Sequence, residues 1–119
     1  MDWIVEFHEA FAIEFAEFHG DVKTVMEAHI ALLATFGPQL SRPQADTLNG
    51  SRHANMKELR FKAADGVWRV AFAFDPDRKA ILLVGGNKSG SSATKFYRRL
   101  IKKADERFDD HLSKLDGKE

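Results

Sequence analysis

The sequence predicts an α+β domain with element order β-α-α-β-β-β-α, and three observations predict it. A phenylalanine stripe at helical spacing fills the opening, strictly alternating segments joined by turn residues fill the middle, and a long second helical stripe closes the chain. The expected architecture is a small, antiparallel-rich sheet with a helical hairpin and a C-terminal helix. Residues 1–119 read as a single domain, because no repeat, low-complexity stretch or linker interrupts them.

Each element has its own local signal. Trp3-Ile4-Val5-Glu6-Phe7 is β-prone and short, a first strand. From Glu9 the period changes, and Phe11, Phe15 and Phe18 recur at four and three residues on a helix expected to reach His19 and to end at Gly20. Asp21 is the expected N-cap of a second helix, with Val22, Met26, Ile30 and Leu33 on one face and Gly37-Pro38 at its end. A polar connection, residues 41–55, leads to the alternating segment 57–62, and Asp65-Gly66 is a tight-turn signal. In the second arm of this hairpin Trp68, Val70, Phe72 and Phe74 share one face. If these pack with Leu59 and Phe61 against the helices, Arg60, Lys62 and Arg69 emerge together on the opposite, basic face. Residues 75–79 turn the chain into a strand at 80–84, whose unbroken apolar run predicts a central position. A Gly/Ser-rich loop, residues 85–92, precedes a helix striped by Phe96, Leu100, Ala104, Phe108, Leu112 and Leu115.

Composition narrows the function. Apolar residues make up 44% of the chain, enough for a folded core. With no cysteine there is neither a disulfide framework nor a thiolate metal site, which fits a reducing compartment. The start Met1-Asp2-Trp3 is acidic where a signal peptide is basic, and no apolar run approaches the roughly 20 residues that span a bilayer. A cytoplasmic protein without membrane contact is expected. Formal charge balances to zero, but unevenly: residues 1–40 hold seven acids and one base, whereas residues 42–103 hold fourteen bases and five acids. Such separation points to an anionic partner for the basic part. Two solvated helix faces beside a basic sheet are the plain alternative.

The stretch "MKELRF", the Asp65-Gly66 turn, "VWRVAFAFD", the apolar strand, the "NKSG" loop and "KFYRRLIKKAD" stand in this order at close spacing. Together they resemble the RelE/HigB superfamily of bacterial toxins, most closely its phage-derived, HigB-like branch, over nearly the whole chain. The resemblance implies a RelE-like fold and the toxin role of a type II toxin–antitoxin system. It implies a metal-independent endoribonuclease, or mRNA interferase, that cuts messenger RNA on the ribosome. It also implies a cognate helix-turn-helix antitoxin, through which alone operator DNA is contacted. No cofactor is implied.

Cutting RNA without a metal requires a base for the 2′-hydroxyl proton, positive charge on the phosphorane, and an acid for the departing 5′-oxygen. His8, His19, His29, His53 and His111 show no paired ligand spacing, so no metal site is expected. Arg69 is the first candidate, since an arginine between Trp68 and Val70 needs either a ligand or a carboxylate, and the resemblance makes it the phosphate stabiliser. The alternative is a salt bridge to Glu58 on the neighbouring arm. Tyr97, the one tyrosine, matches the family's catalytic tyrosine, acting as base if basic neighbours lower its pKa or stacking on a target base. Lys88 stands alone in a loop where the family tends to place two adjacent basic residues, and Lys57 matches the first basic strand residue of the family. These four form the catalytic set. Arg60, Lys62, Arg52, His53 and Arg98 are the expected RNA-binding residues; plain solvation is the alternative for the four bases Arg60, Lys62, Arg52 and Arg98, and core packing is the alternative for Tyr97. The acidic opening segment is expected to lie away from RNA or beneath the antitoxin. Two rival functions use the same fold: a toxin that poisons gyrase, and a non-catalytic module that binds RNA or antitoxin.

Overall fold

The first strand forms where the β-branched pair Ile4-Val5 alternates exposed with half-buried residues, β1 (Ile4–Phe7). The computed structural model describes residues 2–117, and in it the elements after β1 are α1 (Glu9–Ala16), α2 (Gly20–Phe36), β2 (Ala45–Thr47), β3 (Met56–Ala63), β4 (Gly66–Phe74), β5 (Lys79–Asn87) and α3 (Ala93–Asp116), with a short 3₁₀ turn at Gly37–Gln39. Both early helices start on histidines. The His8 Nδ1 accepts the Ala10 N–H at 3.1 Å, and the His19 Nδ1 accepts the Asp21 N–H at 3.0 Å. The expected boundary is thereby corrected: α1 stops at Ala16, Gly20 opens α2 instead of ending α1, and His19 rather than Asp21 is the cap. An imidazole nitrogen meets an orphan first-turn N–H as a carboxylate would.

The five strands lie in the order β1-β5-β4-β3-β2, with β1 parallel to β5 and every other pair antiparallel. As its apolar run predicts, β5 is interior, between β1 and β4. Three features depart from expectation. The polar connection contains β2, which pairs Asp46 with Glu58. The hairpin turn centres on Ala64 and Asp65, both at positive φ, with Gly66 already in β4; a Cβ at Gly66 would lie 2.7 Å from the Asn87 amide, which would have to shift. β5 extends through Gly85, Gly86 and Asn87, which the sequence assigns to the loop.

Strand alternation divides the core in two. On one face Phe11, Val22, Met26 and Leu33 of the helical hairpin pack on Leu59, Phe61, Val70, Phe72 and Leu82. On the other Leu100, Ala104 and Phe108 of α3 cover Met56, Ala71, Ala73, Ile81 and Leu83. At roughly 25 cal/mol per Å² of apolar surface removed from water, these two layers carry most of the folding free energy. Gly37, at φ +55°, lies under the Trp3 ring, where any Cβ would stand 2.3 Å from the indole nitrogen. Among the described residues no helix is long and apolar enough to cross a membrane.

Candidate active site

The register of the β3–β4 hairpin pairs Arg60 directly with Arg69. Both belong to the α3 face, in the stretch nearest the helix's N-terminal end, where Tyr97 rather than an aliphatic residue meets the sheet. Two like charges opposite each other on neighbouring strands repel, so this placement needs a counter-charge. Glu58 supplies it. Its Oε2 accepts from Arg60 Nη1 at 2.8 Å, while its Oε1 accepts from the Tyr97 hydroxyl at 2.9 Å and lies 3.8 Å from Arg69 Nε. Arg69 Nε in turn donates to the Tyr97 oxygen at 3.1 Å, and its Nη1 donates to the Trp68 carbonyl at 3.0 Å.

Burial makes this cluster unusual. Glu58 is only 4% exposed and Arg69 6%. Charges so far from water are costly unless paired and hydrogen-bonded, and here each is both. The salt bridge proposed as the alternative for Arg69 is therefore present, and it coexists with an opening to solvent. A cleft of about 270 Å³ reaches Glu58, Arg60 and Tyr97 between β2 and α3, and a second of about 260 Å³ is lined by Arg60, Lys62, Val67 and Arg69. At the mouth of the first, Arg42 Nε donates to Asp46 Oδ2 at 2.8 Å. That bond, with the Thr47 N–H and Arg60 nearby, holds the Asp46 carboxyl below the usual aspartate range.

Tyr97 departs from one expectation. Burial raises its pKa above the ordinary phenol value, and Glu58 accepting its proton raises it further, against the opposing pull of Arg69. The shift runs opposite to the one that the lowered-pKa route to a tyrosine base requires. Lys88 completes the group, its Nζ 5.9 Å from the centre of the Tyr97 ring. Its loop is tied to β4: Val67 donates its N–H to Asn87 Oδ1 and Ser89 Oγ, and its carbonyl accepts from the Lys88 N–H.

The structure thus brings together Arg69, Tyr97, Lys88 and Arg60, with Lys62 exposed beside them. Arg98 is exposed on α3 next to Tyr97. Lys57 is not part of the group: it pairs with Phe72 and so falls on the helical-hairpin face, because side chains alternate along a strand. His53 and Arg52 also lie elsewhere. The Nε2 of His53 donates to Asp109 Oδ1 at 2.7 Å, and Arg52 binds the same carboxylate and lies 3.9 Å from Asp105. Asp109 is twelve residues from Tyr97, about 18 Å along α3 at 1.5 Å per residue. Sequence reasoning treated Glu58 only as a rival partner for Arg69, whereas it is the hub. A carboxylate sharing an alternation face with Arg60 and Arg69 was the available signal.

A family model described as phage-derived protein Gp49-like (DUF891) matches residues 13–109. The candidate toxin HigB2 of Mycobacterium tuberculosis is 48% identical over 90 residues, which are 75% of this chain and 44% of HigB2, so the chain spans under half of that relative. The candidate toxin HigB3 of the same organism is 42% identical over 97 residues, 82% of each chain. Among solved structures, a free-state Escherichia coli toxin RelE with two arginine-to-alanine substitutions superposes with a TM-score of 0.65, covering 90% of this chain and 98% of that one. Identity there is 12%, so the likeness is one of fold.

Proposed function

Because the chain belongs to the Gp49-like, phage-derived branch of the RelE/HigB-type toxins, we propose that it is the toxin of a type II toxin–antitoxin pair and acts as a metal-independent endoribonuclease on messenger RNA at the ribosome. It works in the cytoplasm, and a cognate helix-turn-helix antitoxin restrains it and carries any contact with operator DNA. The observation supporting catalysis is the buried Glu58–Tyr97–Arg69 cluster open to solvent beside Arg60.

Each role in strand cleavage has a group of suitable chemistry. Glu58 takes the 2′-hydroxyl proton, the 2′-oxygen attacks phosphorus, and the bond to the 5′-oxygen breaks. Arg69 and Arg60 meet the charge that develops on the phosphorane, a preorganised arrangement worth most where water is scarce. Tyr97, kept protonated by its surroundings, turns from Glu58 to protonate the departing 5′-oxygen, and Arg69 Nε then steadies the phenolate. Lys88 adds positive charge over the ring. The products are a 2′,3′-cyclic phosphate and a 5′-hydroxyl, and the proton on Glu58 returns Tyr97 to its starting state. Lys62 and Arg98 contact flanking phosphates.

Induction of the chain should stop growth and create new 5′ ends inside coding regions. Glu58→Gln, which keeps the shape and removes the base, should slow cleavage on the order of a hundredfold or more. Arrest with intact transcripts and damaged DNA would transfer the protein to the gyrase poisons, and absence of any effect would leave a binding module.

A further inference from the structure

A cleft of about 670 Å³, wider than those at the catalytic cluster, lies across α3 from it, bounded by the end of β5, the loop at residues 89–92 and one flank of α3. Its floor is an unpaired sheet edge. β5 pairs with β4 from Ala80 to Asn87, yet its parallel partner β1 reaches only Leu82. After Phe7 the chain leaves for α1, with the His8 N–H on the Leu82 carbonyl as the final backbone hydrogen bond to β5. Residues 83–87 therefore have one side without a strand. At its inner end the Leu83 carbonyl is met by Arg107, where the β4 pairing skips a residue. Open, flat strand edges are templates for pairing with another chain.

The wall above this edge is cationic. Lys95, Arg99 and Lys103 recur at four-residue spacing, all three are exposed, and none forms a salt bridge among the described residues. Lys103 helps to hold the Glu14 carboxyl below the usual range, but Glu14 is itself engaged by both terminal nitrogens of Arg107. The helix runs back over β5, with Phe96 packed on Gly86 and Arg107 at Leu83. Four residues of helix rise about 6 Å, and two residues of strand advance about 6.7 Å. A cation row on α3 thus repeats at nearly the distance that separates same-face side chains on a strand added to β5.

We infer that this cleft is a docking groove for an extended acidic segment of a partner protein, which pairs with residues 84–87 of β5 and sets a carboxylate at every second position against Lys95, Arg99 and Lys103. The groove does not depend on the proposed catalysis; taking the antitoxin as the source of the segment rests on that reading. A peptide fits better than RNA, because an open edge offers carbonyls as well as N–H groups and a phosphate backbone can satisfy only the donors. The occupant also abuts Asn87 and Ser89, the neighbours of Lys88, and so restrains that lysine without entering the catalytic cleft.

A short peptide alternating glutamate and valine, titrated into the full chain and followed by backbone amide shifts, tests the groove. The amides of Gly85, Gly86 and Asn87 should move first. Lys95→Glu with Arg99→Glu should weaken binding about tenfold or more, as reversing rim charges on a polar groove does. A version N-methylated at alternate residues keeps the charge but loses the strand hydrogen bonds, and it should not bind. No shifts at β5, equal binding by the methylated peptide, or tighter occupancy of the groove by a short single-stranded RNA would each overturn the inference. None of these readouts requires RNA cleavage, so the groove and the catalytic proposal can fail separately.

Discussion

The two halves of α3 use charge in opposite ways. From Asp105 onward nearly every charged side chain is fastened to the body: Asp105 accepts from Ser51, Arg107 grips Glu14, Asp109 takes His53 and Arg52, Asp110 takes His8, His111 donates to Asp75, and Lys114 reaches Glu9. Before Asp105, Lys95, Arg98, Arg99, Lys102 and Lys103 are all exposed and join no such pair among the described residues. One amphipathic helix thus serves as a clamp at one end and leaves an unpaired cationic surface at the other. The comparison teaches that exposure alone says little: the charges that the fold leaves without a partner stand next to the buried polar cluster, and those it uses lie at the other end.

The largest effect should come from breaking the clamp's apolar base. Phe108→Ala removes a ring that is 2% exposed beneath the His53 and His111 contacts and should cost about 3–5 kcal/mol, read as a lowered urea midpoint. At the other end Arg69→Ala should leave the midpoint far less changed and cut cleavage about a hundredfold, equivalent to roughly 3 kcal/mol of transition-state stabilisation. A folded, fully active Arg69→Ala protein would remove the central residue. Tyr97→Phe keeps the ring over which Lys88 lies and should slow cleavage about tenfold or more through loss of the proton donor alone. Unchanged cleavage would reduce Tyr97 to packing.

Smaller changes sharpen the contrast. Lys114, His8, His53 and Arg52 hold the Asp109 and Asp110 carboxyls below the ordinary aspartate range. A carboxyl whose folded pKa is depressed stabilises the fold above its unfolded value, near 4, and loses that contribution as pH falls through the folded value. The difference in melting temperature between the parent and an Asp109→Asn, Asp110→Asn variant should therefore be constant at neutral pH and close below about pH 4. A difference that persists in acid would assign the stabilisation to hydrogen-bond geometry. Smallest of all, Glu17→Lys should leave both stability and cleavage within error. Glu14→Lys should not, because Glu14 holds Arg107 through two hydrogen bonds. An acidic opening segment read purely as a solvated or partner-covered face misses that fastening.

What the sequence made legible is what alternation and helical period control. The pairing of Arg60 with Arg69, the interior position of β5 and the division of Leu59 and Phe61 from the basic face all follow from counting residues. Lys57 shows the cost of letting resemblance override that count, since it is odd-numbered like Leu59 and belongs to the opposite face from Arg60. The rest was hidden for physical reasons. β2 is three residues long, too short for any period, and is defined by its partner β3. The hairpin turn sits one residue early because Ala64 and Asp65 both take positive φ, which leaves Gly66 paired with Ala63. Glu58 as hub depends on how far Tyr97 reaches from α3, and the placement of His53 depends on the path of an irregular loop; neither is local information.

The chain order of the Glu58, Arg60, Arg69 and Tyr97 cluster has a consequence for synthesis. Glu58, Arg60 and Arg69 leave the ribosome on one hairpin, a local structure able to close as soon as it emerges. Tyr97 arrives later, on α3, the last of the described elements, and β1 must wait more than seventy residues for its partner β5. Until α3 docks, two arginines and a glutamate stand in water without the hydroxyl that organises them. The two arginines and the glutamate are thus joined to the hydroxyl that organises them only when the helix closes over the sheet.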